Sequence, residues 1–251
     1  MSGHSKWKTN KGKKAAADAK KGATYTKLIK EITIVAREGG GNPDSNSKLR
    51  AVMARAKEAN MPLDNVKMAI KRGTGEIPGI TYETVRYEGF GPGGVAILID
   101  AITDNKNRCA AEVRNIMSKT NGNLGGSVSW IFAMKGYLTI DKAGASEDDV
   151  MTIALDAGAD DIKTDGSEFE IFSAPQKMEE IKAALEKKGI KCTTAEVTMV
   201  PSSTVKLDLA NAKKLRDLID ALEDHDDVQN VYDNSDIPEE VMAQMDAEDA
   251  G

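Results

Sequence analysis

The residues of this chain best suited to chemistry are cations and one aromatic ring, crowded toward the N-terminus. Lys6, Trp7 and Lys8 place a flat indole between two ammonium groups, in a stretch with no apolar periodicity to bury it. Such a group can stack on a base while its neighbours meet phosphates; a Trp packed on a helical core is the other reading. Lys11, Lys13 and Lys14 extend the same arm. Farther on, Lys20, Lys21, Lys27, Lys30, Arg37, Lys67, Lys71 and Arg72 fall between the apolar positions rather than on them, with Lys27/Lys30 and Lys67/Lys71 at helical spacing. Cations so placed suit contact with phosphate, which fixes position and carries no sequence information. Gly39-Gly40-Gly41 holds more glycine than a helix stop needs. The backbone amides at Gly40 and Gly41 are therefore expected to approach a phosphate closely, with a plain flexible linker as the alternative.

Other chemistries find little support. Gly89-Phe90-Gly91-Pro92-Gly93-Gly94 matches G-x-G-x-x-G, but a strand pattern follows where a dinucleotide site needs a helix N-terminus, so it reads as a hairpin connection. No Walker A sequence is present, since Gly12-Lys13 lacks the upstream glycine and the following Ser or Thr. Histidine occurs only at His4 and His225, so no Ser-His-Asp or Cys-His set within one domain is apparent. The best metal candidate, Glu223-Asp224-His225-Asp226-Asp227, fails the calcium-loop pattern and reads as the solvated end of a helix. Cys109 and Cys192 have no C-x-x-C spacing and read as small buried hydrophobes. No catalytic residue, metal or cofactor is expected, and nothing singles out a catalytic pair among the 40 carboxylates.

The elements that would position these residues follow from charge and periodicity. Residues 1–75 carry 17 Lys/Arg against 6 Asp/Glu, and the rest carries 17 against 34, so a net charge of -6 hides a basic segment joined to an acidic one. That split predicts a polyanion-binding module, with solvated helix faces as the bland alternative. Tyr25, Leu28, Ile29, Ile32, Val35 and Ala36 have helical spacing; a second helix starts at the N-cap Asn46 and buries Leu49, Val52, Met53 and Ala56; a third follows Pro62 and stops at Gly73. From Thr84 the period becomes that of strands: Val85–Glu88, Val95–Ile102, a helix burying Cys109, Val113, Ile116 and Met117, then a strand over 128–132. The next stretch reads β-α-β-β-α-β, the ferredoxin-like split motif. The helix carrying Leu215, Leu218, Ile219 and Leu222 and the strand Val228–Tyr232 complete the earlier sheet.

The predicted architecture is α+β: a basic helical domain (1–78), a discontinuous α/β domain (79–135 and 204–240), a ferredoxin-like domain inserted near Lys135–Gly136 (136–203), and an acidic, mobile tail (241–251). With 40% hydrophobic residues the chain is globular, and apolar runs such as Val95–Ile99 fall far short of the ~20 residues of a membrane helix. No signal-peptide core follows the basic start, so the cytoplasm is expected, with no membrane partner; a monomer is favoured. A helix-turn-helix centred on Asn60-Met61-Pro62 would offer Leu63, Asp64 and Asn65 at the start of its second helix, so backbone or shape recognition is the stronger reading, on bent DNA or structured RNA.

Ordered strings then carry a resemblance over nearly the whole chain. Gly3-His4-Ser5-Lys6-Trp7, Lys27-Leu28-Ile29-Lys30-Glu31, Ala36-Arg37-Glu38-Gly39-Gly40-Gly41, Ala59-Asn60-Met61-Pro62, Ile70-Lys71-Arg72-Gly73-Thr74-Gly75, Tyr87-Glu88-Gly89-Phe90-Gly91-Pro92-Gly93-Gly94-Val95, Thr103-Asp104-Asn105-Lys106-Asn107-Arg108 and Asp226-Asp227-Val228-Gln229-Asn230-Val231-Tyr232 are similar to the YebC/PmpR family. That resemblance implies three domains and a cytoplasmic, DNA-binding transcriptional regulator without catalytic activity. Members that include a mitochondrial translational activator imply the alternative, a ribosome-associated translation factor that binds ribosomal RNA. An enzyme acting on nucleotides is a third and weaker expectation.

Overall fold

The computed structural model describes residues 17–164, 166 and 168–249, with side chains from residue 22 onward. The chain divides into two compact units, one of residues up to Ser129 together with those from Thr204, the other Trp130–Ser203. In chain order the first unit contains α1 (Ala17–Gly39), α2 (Ser47–Glu58), α3 (Leu63–Gly73), β1 (Glu83–Phe90), β2 (Ala96–Thr103), α4 (Lys106–Lys119) and the two-residue β3 (Asn123–Leu124). The second unit supplies β4 (Phe132–Asp141), α5 (Glu147–Asp156), β5 (Ala159–Lys163), β6 (Glu168–Ser173), α6 (Met178–Lys187) and β7 (Thr194–Pro201). The first unit then resumes with β8 (Val205–Lys206), α7 (Leu209–Glu223), β9 (Val228–Asp233), β10 (Ser235–Asp236) and α8 (Glu239–Asp249).

Helices α1–α3 bury Leu28, Ile32 and Val35 against Leu49, Val52, Ala56, Val66 and Ala69, the i, i+3, i+4 stripes of three amphipathic helices. One side chain joins the first two. Asn46 Oδ1 accepts from Leu49 N at 3.0 Å as the N-cap of α2, while its Nδ2 donates to Val35 O at 3.0 Å and Gly40 O at 2.9 Å at the end of α1. The α1–α3 contact is closer still, because a Cβ added to Gly73 would lie 2.4 Å from the Thr33 carbonyl oxygen.

Beyond the bundle, an antiparallel sheet has the order β3-β1-β2-β9. Central β2 reads Ala-Ile-Leu-Ile-Asp-Ala-Ile-Thr and is buried along nearly its whole length, the pattern of a strand covered on both faces. Its Ile97, Ile99 and Ala101 meet Cys109, Val113 and Met117 of α4 and Leu215, Leu218 and Leu222 of α7. The glycine string 89–94 closes the β1–β2 hairpin, Phe90 standing opposite Ala96. In the second unit the sheet order is β5-β6-β4-β7, all antiparallel, with α5 and α6 packed against Leu138, Ile140, Phe169 and Ile171. This is the ferredoxin-like arrangement.

Three sequence expectations are corrected. The strand expected over 128–132 is a short 3-10 turn at Ser129–Ile131, and β4 starts at Phe132 and runs unbroken to Asp141; the third strand of the first sheet is instead β3. The change of unit accordingly falls at Trp130, ahead of Lys135–Gly136. The mobile acidic tail is also overturned, since residues 239–249 form α8. Ile237, Val241 and Met245, spaced by four, lie against the first unit's core with Met245 buried, and Lys213 pairs with Glu248. Carboxylates dominated the reading of that segment and hid its apolar stripe.

Candidate functional site

The structure sorts the expected cations into separate groups. Lys6, Trp7, Lys8, Lys11, Lys13 and Lys14 lie outside the described residues, and the side chains of Lys20 and Lys21 do too. Arg37, Lys67, Lys71 and Arg72 are exposed. So are Lys48, Arg50 and Lys57 on α2, which the sequence reading left out. Arg37, Lys57, Lys71 and Arg72 stand in the last turns of their helices, where they also complement the negative end of the helix dipole. The approach of Gly73 to Thr33 and to the Arg37 backbone nitrogen brings the C-terminal ends of α1 and α3 side by side. There, Arg37, Lys71 and Arg72 share one end of the bundle.

The glycine loop sits at that same end. Gly40 has φ +83 and donates its N–H to Ala36 O at 2.9 Å, the left-handed stop of α1. A Cβ on Gly41 would lie 2.8 Å from Ile70 Cγ2 of α3. Helix termination and close packing thus account for both glycines, whereas open space surrounds the Gly40 α-carbon.

Lys27 and Lys30 depart from the expectation. Both point away from the solvent face into the turn between α7 and β9: Lys27 Nζ donates to the Glu223 carbonyl, and Lys30 Nζ donates to the Asp226 carbonyl at 2.9 Å and pairs with Asp227 Oδ1. Lys30 is 7% exposed and Asp227 2%. The other Asp227 oxygen, Oδ2, accepts from Thr103 Oγ1 at 2.8 Å and Arg108 Nη2 at 2.7 Å, and Arg108 also reaches Asp104 at 2.9 Å. Burial pushes the Asp227 carboxyl up, but the bonds from Lys30, Arg108 and Thr103 outweigh it and hold the pKa at about 2. The reading of 223–227 as a solvated helix end fails at Asp227, although Asp224 and Asp226 are exposed.

This cluster ties the helical bundle to the sheet body, because Lys30 comes from α1, Thr103 from β2, Arg108 from α4 and Asp227 from the edge of β9. No spacing rule links residues so far apart in sequence. The available signal was Ile34, apolar and buried one turn beyond Lys30, which shows that this side of α1 is covered. His225 braces the turn: its Nδ1 accepts from Asp227 N at 3.1 Å, leaving Nε2 to donate to Glu112 Oε2 at 2.9 Å. A cavity of about 620 Å³ opens beside the cluster, lined by Lys30, Tyr82, Arg108, Glu112 and His225 among others. Ligand atoms of Glu112, His225 and Asp227 lie within 4.8 Å of one another. A metal would have to displace the donors that occupy both Asp227 oxygens, so the donor set does not suit one.

Together the helical bundle, the four-stranded sheet that β9 completes and the ferredoxin-like unit define an α+β fold. The family is specific. Residues 5–76 match the family described as "TACO1/YebC protein N-terminal domain" and residues 82–235 the "TACO1/YebC second and third domain". The chain belongs to the TACO1/YebC family. It is 53% identical over 248 residues to a "Probable transcriptional regulatory protein" of Dictyoglomus thermophilum, covering 98% of this chain and 100% of that one. It is 52% identical over 247 residues to one of Desulforapulum autotrophicum, with 98% and 100% covered. A solved structure, a conserved hypothetical protein from Aquifex aeolicus, is similar with a TM-score of 0.75 and 43% identity, over 90% of this chain and 95% of that one.

Proposed function

We propose that this protein is a cytoplasmic, nucleic-acid-binding regulator of gene expression, a DNA-binding transcriptional regulator without catalytic activity, acting as a monomer through its helical bundle. The observation that carries the reading is the exposed set Arg37, Lys48, Arg50, Lys57, Lys67, Lys71 and Arg72 on a bundle otherwise poor in acid, attached to an acidic remainder. Cations of this kind neutralise phosphates and release condensed counterions. The names of the relatives support the regulatory half of the statement. Lys6, Trp7, Lys8, Lys11, Lys13, Lys14, Lys20 and Lys21 extend the surface in this proposal.

A second reading has its own observation. The first turn of α3 presents exposed Leu63, Asp64 and Asn65, where Asn65 alone has the groups to address a base edge and Asp64 would face phosphates unfavourably, while Lys71 and Arg72 lie at the far end of the helix. Phosphate and shape recognition without base reading suits a ribosome-associated translation factor equally well. Crosslinking in cells, followed by sequencing of the bound nucleic acid, separates the two. Enrichment at promoter DNA upholds the transcriptional role, and enrichment of ribosomal RNA replaces it with the translational one.

A further inference from the structure

Lys27 and Lys30 have the helical spacing expected of phosphate contacts, yet a stretch of this same chain already occupies them. The turn from Glu223 to Asp227 gives Lys27 a carbonyl oxygen, and gives Lys30 a carbonyl oxygen and a carboxylate oxygen. Through Oδ2, Asp227 also engages Arg108, as a phosphate oxygen would engage a guanidinium. Asp224 and Asp226 continue the negative charge on the solvent side. Carbonyl oxygens and carboxylates in this order offer those cations much of what a nucleic-acid backbone would.

We propose that this acidic turn is an autoinhibitory occupant of a second cationic site, formed by Lys27, Lys30 and Arg108, and that a phosphodiester backbone gains the site by displacing it. The inference rests on the bundle being a nucleic-acid-binding surface, and names the regulation of that surface. Displacement is energetically reachable because an incoming phosphate oxygen replaces the Asp227 carboxylate, so that neither Lys30 nor Arg108 is left as an unpaired buried charge. On opening, Asp227 returns to water while Lys30 and Arg108 exchange one anion for another. The cavity beside them is lined by Lys30 and Arg108 but also by five carboxylates, three of them from the turn (Asp224, Asp226 and Asp227), so departure of the turn removes most of the negative charge that a phosphate would meet there. His225 is bonded to Asp227 N within the turn and moves with it, while its bond to Glu112 of α4 must break for the turn to leave.

The test uses the full chain and a fluorescein-labelled duplex of about 20 base pairs, with anisotropy titrations across roughly 50 to 300 mM salt. Asp227→Asn should bind at least about threefold tighter than the wild type, with a slope of log K against log salt steeper by roughly one to two, as freed cations meet phosphates. Adding Lys30→Gln should remove most of that gain. A folded Asp227→Asn protein that binds no tighter overturns the internal occupant and leaves the bundle's nucleic-acid role standing. Absence of binding by both wild type and variant, to this duplex and to an RNA of the same length, overturns that role and the inference with it. Should Asp227→Asn not fold, hydrogen exchange of the wild type decides. On saturation with duplex, amides 223–228 should lose protection, and unchanged or increased protection there overturns displacement.

Discussion

At Asp227 burial and hydrogen bonding oppose each other, and the outcome sets a pH dependence. Its folded pKa of about 2 lies below the ordinary aspartate value, so the group contributes stability that is fully present above about pH 4 and is lost as pH falls through about 2. Asp227→Asn should therefore lower the unfolding free energy by about 2 kcal/mol at neutral pH, and the gap from the wild type should close toward pH 2 in acid titrations followed by circular dichroism. A gap independent of pH would show that the charge at 227 is not what stabilises. Asn46 acts by neutral hydrogen bonds instead. Asn46→Ala leaves the Leu49 N–H and the Val35 and Gly40 carbonyls without their partner and should cost about 2 kcal/mol in denaturant melts. The two loop glycines should separate in the same assay. Gly40→Ala meets only the left-handed φ, about 1 kcal/mol, whereas Gly41→Ala meets no such strain but must push aside Ile70 and Thr74 of the packed α3 end and should destabilise more. The idea that these glycines serve phosphate alone would regain ground if Gly41→Ala melted like the wild type yet bound nucleic acid weakly.

On the level of elements, α3 carries the plainest test of the binding surface. With five or six phosphate contacts the salt slope on duplex DNA should be near −5, and Lys71→Glu with Arg72→Glu should flatten it by about two while weakening all sequences alike. A slope unchanged by the double reversal would remove α3 from the interface. Much at this scale was legible in the sequence. The N-cap Asn46, the stop at Gly73, the hairpin at 89–94 and the stripe of Leu215, Leu218, Ile219 and Leu222 are local signals, and each marks a real boundary or buried face. Local signals also misled. The run Ser-Trp-Ile-Phe looked like one strand, but its Trp130 is 75% exposed and the chain turns before Phe132. Segment 239–249 looked like solvated acid, although Val241 and Met245 repeat at i, i+4. Lys30 was illegible for another reason, because its partner is 197 positions away and only the folded sheet brings the two together.

For the molecule as a whole, the charge split implies a division of labour. A fragment of residues 76–251 should not bind duplex DNA detectably at low salt, and full binding by it would place recognition in the acidic sheets rather than in the basic bundle. An isolated 1–75 fragment would carry Lys30 without Asp227, so its affinity reports both the exposed cations and the ones the turn had covered. One feature of the topology also governs how such a chain is made. Strand β2 pairs on one side with β1, its hairpin neighbour, and on the other with β9, and all of residues 130–203 come between. During synthesis, then, the hairpin leaves the ribosome with a hydrogen-bonding edge of Ile97, Leu98 and Ile99 uncovered. Roughly 130 further residues must be added before its partner exists, an interval of about 6 to 26 seconds at ordinary elongation rates. A bare apolar strand edge is a template for other nascent chains. The inserted ferredoxin-like unit has its whole sheet in one stretch and can close first, while the first sheet waits, so the nascent protein's exposure to aggregation is set by the order of its strands and ends when β9 docks.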